Sequence, residues 1–216
     1  DTLIPAFKSA AAAQEGPDIQ YFWGGVWTLE DAWAGSIIPI DDLIPEEERK
    51  HYINNFERSW NGKQWGIGWY LSGNPMVYNP DLYTQAGLDP ANPPQTWDEL
   101  KEACAKLNAI GVTPIAGGLK DGWFGGWLFS IIGRQPHDSE KAFMAASVGQ
   151  ASFTDPEFAE WWIRLNELKE AGCWNKDINS LDYQQGQDLF VQGKAAMIFG
   201  NDTFLKGWAD VCLLYT

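Results

Sequence analysis

Met76-Val77-Tyr78-Asn79-Pro80-Asp81-Leu82-Tyr83, running on to Ala86-Gly87-Leu88, decides how this chain is read. Three apolar residues suit a short strand, and Asn79 then offers a side-chain oxygen to the open N–H groups of a helix. Pro80 takes the first helical position, where the N–H it lacks would have had no partner. Gly87 stands just past the other end, where a left-handed residue closes the last turn. Strand, cap and helix follow one another, which is the repeating step of an α/β fold.

The same grammar recurs outward from there. Thr96 and Glu99 have the spacing of a capping box, and Leu100, Ala103, Cys104, Leu107 and Ile110 follow at helical intervals until Gly111. Residues 113–116 read as a strand, and Gly117-Gly118 opens a loop before the aromatic run 123–132. Asp155-Pro156 starts a helix striped by Phe158, Trp161, Trp162, Leu165 and Leu168 and stopped by Gly172. Residues 182–192 read as a further helix weakened by Gly186, and 195–199 as an apolar strand delivering Gly200-Asn201-Asp202. Toward the N-terminus, an Ala-rich helix over 3–14 closes at Gly16-Pro17, and 19–23 reads as a buried strand broken by Gly24-Gly25. Thr28, with Asp31 three residues on, offers a cap for a helix ending at Gly35, and 65–71 returns to extended sequence.

Composition narrows the function classes. The 216 residues carry Lys+Arg 15 against Asp+Glu 29, a formal charge of -14, which repels phosphate backbones and anionic headgroups. Nucleic acid is therefore not an expected partner. The longest nearly apolar stretch, 123–132, is about half of the roughly 20 residues a membrane span needs, so no direct span is expected. No Met, basic n-region or apolar h-region opens the chain at Asp1, so any export signal has been removed or was never included. Cys104, Cys173 and Cys212 cannot all pair within one chain and match neither a disulfide framework nor a CxxC clip, so buried or partly buried free thiols are expected. His51 and His137 form no metal motif, and no cofactor fingerprint appears.

Several of the expected strands end in loops that pair small or polar residues with an aromatic: Trp23-Gly24-Gly25 with Trp27, Trp69-Tyr70, Gly122-Trp123, and Gly200-Asn201-Asp202. In open α/β sheets ligands bind beyond the carboxyl ends of the strands. Trp 13 is a heavy load for this length, and an indole face suits the apolar C–H face of a pyranose while polar groups bond its hydroxyls. Trp33, Trp161 and Trp162 fall on helix stripes and read as core, and Trp97 and Trp174 as packing residues beside helix ends. Catalysis on a sugar would require two facing carboxylates, and only Asp121 and Asp202 share a candidate cleft; loop aspartates ordinarily bond loop N–H groups. Asn201-Asp202-Thr203 also fits the short glycosylation acceptor pattern.

These residues carry a family likeness. Residues 76–88 resemble the "YNKDLFEKAGL" signature of family 1 extracellular solute-binding proteins, residues 94–100 their "PPKTWDEL" segment, Phe190 with 193–197 their "F..GKAAM" segment, and residues 37–43 their "LLPLDDL" run. The order and spacing match, and maltose-binding and related sugar-binding members are the most similar. The resemblance implies a type II periplasmic-binding-protein fold of two α/β lobes, incomplete here because full members are nearly twice as long. Residues 1–70 would belong to one lobe and 71–216 to the other, with a hinge crossover near 68–74. It further implies a carbohydrate ligand, delivery to an ABC permease, no enzymatic step, and a periplasmic or extracellular location, lipid-anchored in some members. Trp23 stands where maltose-binding members place a cleft Trp and Trp123 where they place a stacking Tyr, whereas Asp202 replaces a Trp and Ser72 a Glu. The expected ligand contacts are Trp23, Gly24, Trp27, Trp69, Tyr70 and Trp123, with Ser72, Asn74, Asp121, Asn201 and Asp202 bonding hydroxyls. A glycoside hydrolase, and a sugar-sensing or adhesion module of the same fold, stand as alternatives.

Overall fold

The computed structural model describes residues 3–52, 58–70, 72–134 and 140–212. The elements, in chain order, are α1 (Leu3–Ala12), α2 (Val26–Trp33), α3 (Glu46–Arg49), β1 (Ser59–Trp60), β2 (Lys63–Gln64), β3 (Met76–Tyr78), α4 (Pro80–Gln85), α5 (Trp97–Ala109), β4 (Thr113–Ala116), α6 (Trp123–Arg134), α7 (Glu140–Ser147), α8 (Pro156–Glu170), α9 (Tyr183–Val191), β5 (Ala195–Phe199) and α10 (Leu205–Cys212). They belong to two compact units, Asp1–Leu71 with Glu140–Ser152, and Ser72–Ser139 with Phe153–Thr216. The expected crossover includes Leu71, and the tail residues 213–216 and His137 likewise lie outside the described residues.

In the second unit β5 is the middle strand of the order β3-β5-β4, antiparallel to β3 and parallel to β4. All five of its residues are buried, which is why the sequence runs apolar there without alternation. Asn79 Oδ1 accepts Asp81 N at 3.0 Å and Leu82 N at 3.1 Å, so α4 begins where the sequence starts it. Thr96 and Glu99 close the capping box of α5, and Asp182 with Gln185 closes a second one on α9. Leu107, Phe124, Leu168 and Met197 lie in one buried cluster, each fully buried apolar side chain being worth about 1.5–3 kcal/mol.

Two expectations about this unit are corrected. Cys104 and Cys173 are not free thiols but a disulfide, 69 residues apart in sequence with Cα atoms at 5.2 Å. Tertiary packing brings them together: α5 lies against β4, and Ile115 N donates to Cys173 O at 2.8 Å, so the segment after α8 runs alongside the same strand. Trp162 is not core: it is 55% exposed, with its ring 4.3 Å from Phe129, while Trp161 is 1% exposed. Consecutive helical residues point about 100° apart, so both cannot face inward.

The first unit carries further corrections. Residues 19–23 join no ladder, and Ile19 is 90% exposed, so the expected buried strand is an irregular segment. The α2 helix starts two residues ahead of Thr28, with Gly25 as N-cap; Thr28 and Asp31 are buried within it, and Thr28 Oγ1 and Asp31 Oδ2 have no hydrogen-bond partner among the described residues. Burial raises the Asp31 carboxyl pKa, opposed by Lys8. Trp33, expected in the core, is half exposed and meets Trp60 edge-on at 5.6 Å. Asn61 (φ 51) and Gly62 (φ 70) supply the left-handed pair that turns β1 into β2.

Gly186 explains itself only in three dimensions. A Cβ there would stand 2.6 Å from Gly117 C and Gly118 N, so α9 rests directly on the backbone after β4. Helix propensity alone predicts that Gly186→Ala stabilises α9 by about 1 kcal/mol. The packing predicts the opposite, a loss of about 1–3 kcal/mol in urea unfolding. Reducing Cys104–Cys173 frees a long loop in the unfolded chain, and stability measured with and without dithiothreitol should fall by about 2–5 kcal/mol.

Candidate ligand-binding site

The sheet of the second unit gathers three loops at one end. β4 and β5 run parallel, so Gly117 and Gly200 leave from the same side, and β3, being antiparallel, enters there from residues 72–75. Backbone bonds knit the loops: Gly200 N donates to Pro75 O at 3.1 Å, and Asp202 N to Gly73 O at 3.0 Å. Asp202 Oδ2 in turn accepts Gly73 N at 2.8 Å, so this carboxylate pins the strand entrance. Asn201 Oδ1 accepts Thr203 N and Oγ1, capping the short 3₁₀ turn Asp202–Phe204. Ser72 Oγ is buried without a hydrogen-bond partner among the described residues, and Asn74 is exposed.

Trp123 and Asp121 sit at the β4 loop. Gly122, at φ 77, turns the chain so that Trp123 becomes the first residue of α6 rather than a loop residue, and it is 46% exposed. The sequence expectation did not include its neighbour Tyr183, whose ring centroid lies 4.7 Å from Trp123 and 4.8 Å from Phe124. Tyr183 N donates to Asp121 Oδ2 at 3.4 Å, and Lys120 N to Leu181 O at 3.0 Å, so the start of α9 is bound to this loop. A Cβ on Gly118 would lie 1.9 Å from Asp182 O, which leaves only glycine there. The capping box Asp182/Gln185 was the signal that could have drawn attention to Tyr183, as the residue immediately inside it.

In the first unit the aromatic residues cluster separately. Trp23, Trp69 and Tyr70 are 57%, 70% and 44% exposed, and Tyr21 joins them: its ring lies 5.4 Å from Trp23 at 76° and 6.2 Å from Trp69 at 84°. Trp69 and Tyr70 meet at 5.0 Å. The Tyr21 and Tyr70 hydroxyls are 3.2 Å apart and hydrogen-bonded. Gly24, at φ 89, is buried against Arg58, whose Nη2 would be 2.9 Å from a Cβ, so the glycine both makes the turn and admits the guanidinium. Trp27 stands in the first turn of α2, not in a loop, and is 60% exposed. A 460 Å³ cavity of this unit, lined by Lys8 and Ala11 of α1 and Glu30 and Asp31 of α2 among others, takes in none of these rings.

The structure thus brings Trp23, Gly24, Trp69 and Tyr70 together in one unit and Ser72, Asp202 and Asn201 together in the other, with Asp121 and Trp123 joined through Tyr183. Exposed rings beside fixed peptide and hydroxyl groups can bind a flat, partly apolar ligand that also hydrogen-bonds.

An α/β frame of this kind, with loops collected at the carboxyl ends of a parallel pair, is the type II periplasmic-binding-protein fold. It superposes with a TM-score of 0.76 on a protein from work on xylan utilization by the thermophilic bacterium Caldanaerobius polysaccharolyticus, 26% identical, covering 96% of this chain and 52% of that one. A chitin oligosaccharide binding protein superposes at 0.74 with 23% identity, over 100% of this chain and 53% of the other. Residues 1–211 match the family model for bacterial extracellular solute-binding proteins, and the chain belongs to that family. It is 28% identical over 209 residues to the sn-glycerol-3-phosphate-binding periplasmic protein UgpB of Brucella abortus, and 25% identical over 200 residues to a putative binding protein of the same species. Each match covers 92% of this chain and 47% of the relative, so the chain spans about half the length of these relatives.

Electrostatics of the first cluster give a direct test of its geometry. Burial, then the hydrogen bond and charge of Tyr70, push the Tyr21 phenol up to about 12, against a lowering influence of Arg58. A raised phenol favours the folded state below the ordinary tyrosine range and loses that contribution as pH climbs toward the raised value. Absorbance titration of phenolate should show a tyrosine ionising near 12 that disappears in Tyr21→Phe and moves downward in Tyr70→Phe.

Proposed function

We propose that the chain is part of the substrate-binding component of an ABC-type carbohydrate importer, holding a mono- or oligosaccharide between aromatic plates and releasing it unchanged. Residues 1–70 and 71–216, apart from the 140–152 segment that packs with the first, then act as two partial lobes, with closure about a crossover near 68–74. Trp23, Trp27, Trp69, Tyr70 and Trp123 supply flat surfaces, and Gly24, Ser72, Asn74, Asp121, Asn201 and Asp202 supply the surrounding polar wall. The ligand passes to a membrane permease in the periplasm or outside the cell.

The carrying observation is the set of indoles left open, Trp23 and Trp69 on loops and Trp123 at the start of α6, all between 46% and 70% exposed. Covering such faces with the apolar face of a ligand removes them from water and is favourable. Family membership supports the class, and its structural relatives include a protein from work on xylan utilization and a chitin oligosaccharide binding protein. The buried Cys104–Cys173 disulfide suits an oxidising compartment outside the cytoplasm. No helix among the described residues is long and apolar enough to cross a membrane. Binding needs no cofactor, and Asp121 and Asp202 both accept backbone N–H groups, which suits positioning rather than proton transfer.

Intrinsic tryptophan fluorescence and calorimetry with xylobiose, chitobiose, maltose, D-galactose and sn-glycerol 3-phosphate test the reading. At least one carbohydrate should bind, and Trp23→Ala and Trp123→Ala should each weaken it by about 1 kcal/mol or more. A flat response to every compound would defeat the proposal, and release of chromophore from nitrophenyl glycosides would move the protein to the hydrolases.

A further inference from the structure

The first-unit cluster contains a feature that stacking does not use, the hydroxyl pair of Tyr21 and Tyr70. Their oxygens are 3.2 Å apart, either one able to donate, and the pair lies on the exposed surface beside Trp23 and Trp69. A bond between two phenols consumes one of the two O–H hydrogens and one lone pair, leaving one donor and further acceptor positions facing outward. A ligand complementary to that pattern offers one donor and one acceptor at matching separation. Neighbouring hydroxyls of a pyranose in gauche relation stand about 2.8 Å apart, close to a hydrogen-bond length, and so meet this condition. A lone hydroxyl, or a phosphate that only accepts, satisfies half of it.

We infer that Tyr21 and Tyr70 form a two-phenol seat for a vicinal diol, closing a ring of four hydroxyls with the ligand while Trp23 and Trp69 flank its apolar face. The assignment rests on the reading of the site as a carbohydrate site and adds Tyr21 as a specificity-determining residue. Three physical points support it. The ring contacts of Tyr21 with Trp23 and Trp69 are near perpendicular, so Tyr21 is held from two sides while both indoles keep most of their surface open. Tyr21 is a competent donor through the neutral range, as any phenol is, and burial and Tyr70 raise it further, to about 12. Closed rings of hydroxyls strengthen each member bond by mutual polarisation. The diol is shared chemistry: a sugar ring carries it, and so does the glycerol end of a glycerol phosphate.

The experiment is calorimetry on the 216-residue chain and on Tyr21→Phe, Tyr70→Phe and the double variant, each checked for an unchanged thermal midpoint. Xylobiose is compared with its 3′-deoxy analogue, and sn-glycerol 3-phosphate with 3-hydroxypropyl phosphate, which separates the two sources of diol. Each single variant should bind the intact diol about tenfold more weakly, the loss of one good hydrogen bond. The double variant should lose little more, because breaking the ring at either phenol opens it. Either substitution should cost the deoxy compounds clearly less affinity than it costs the intact diols. Equal losses for diol and deoxy probes, or no loss at all, overturn the inference and leave the carbohydrate reading standing. Absence of binding by the wild-type chain to every compound of the panel overturns both.

Discussion

Backbone stands where side chains would otherwise be at the junction of β4 and α9, and that close approach governs the ligand-facing end of the second unit. The carbonyl of Asp182 occupies the place of a Gly118 side chain, and the peptides of Gly117 and Gly118 occupy that of Gly186. Contact this close removes the slack a layer of side chains would introduce. Leu119, Lys120 and Gly117 N–H groups then find partners in Ile178 O, Leu181 O and Asn175 Oδ1. The loop that carries Asp121 and Trp123 is therefore fixed by main chain, and its buried polar groups are met.

The same economy appears on the other side of β5. Asp202 gives its carboxylate to Gly73 N while its own N–H bonds Gly73 O, so two loops are tied reciprocally where the chain enters the second unit. Gly200 is packed under Trp208, whose ring would overlap any Cβ there. Both devices spend side chains on shaping the surroundings of the site. The aromatic surfaces left over, Trp123 in one unit and Trp23 with Trp69 in the other, are free of that duty and remain open.

Most of the second unit was legible in the sequence because its signals are local. Asn79-Pro80, the Thr96/Glu99 box and the apolar run 195–199 each act within a few residues, through capping bonds or burial on both faces. The first unit was read less well. Residues 19–23 have the composition of a buried strand, but a strand exists only through a partner, and none of the described residues pairs with them. Trp33 and Trp162 have helical spacing that fits a stripe, yet which flank of a stripe is covered depends on neighbours far away in sequence.

Spacing and cap chemistry determined the α/β class and the positions of β3, α4, α5, β4, α8, α9 and β5, since these are written in short-range interactions, and the segments around 76–88, 94–100 and 190–197 carried the resemblance to solute-binding proteins. Tertiary structure alone decided the pairing of Cys104 with Cys173, the meeting of Tyr21 with Tyr70 and of Trp123 with Tyr183, and the need for Gly186. Those contacts join residues separated by 49 to 69 positions, so no local pattern encodes them; packing of whole elements creates them.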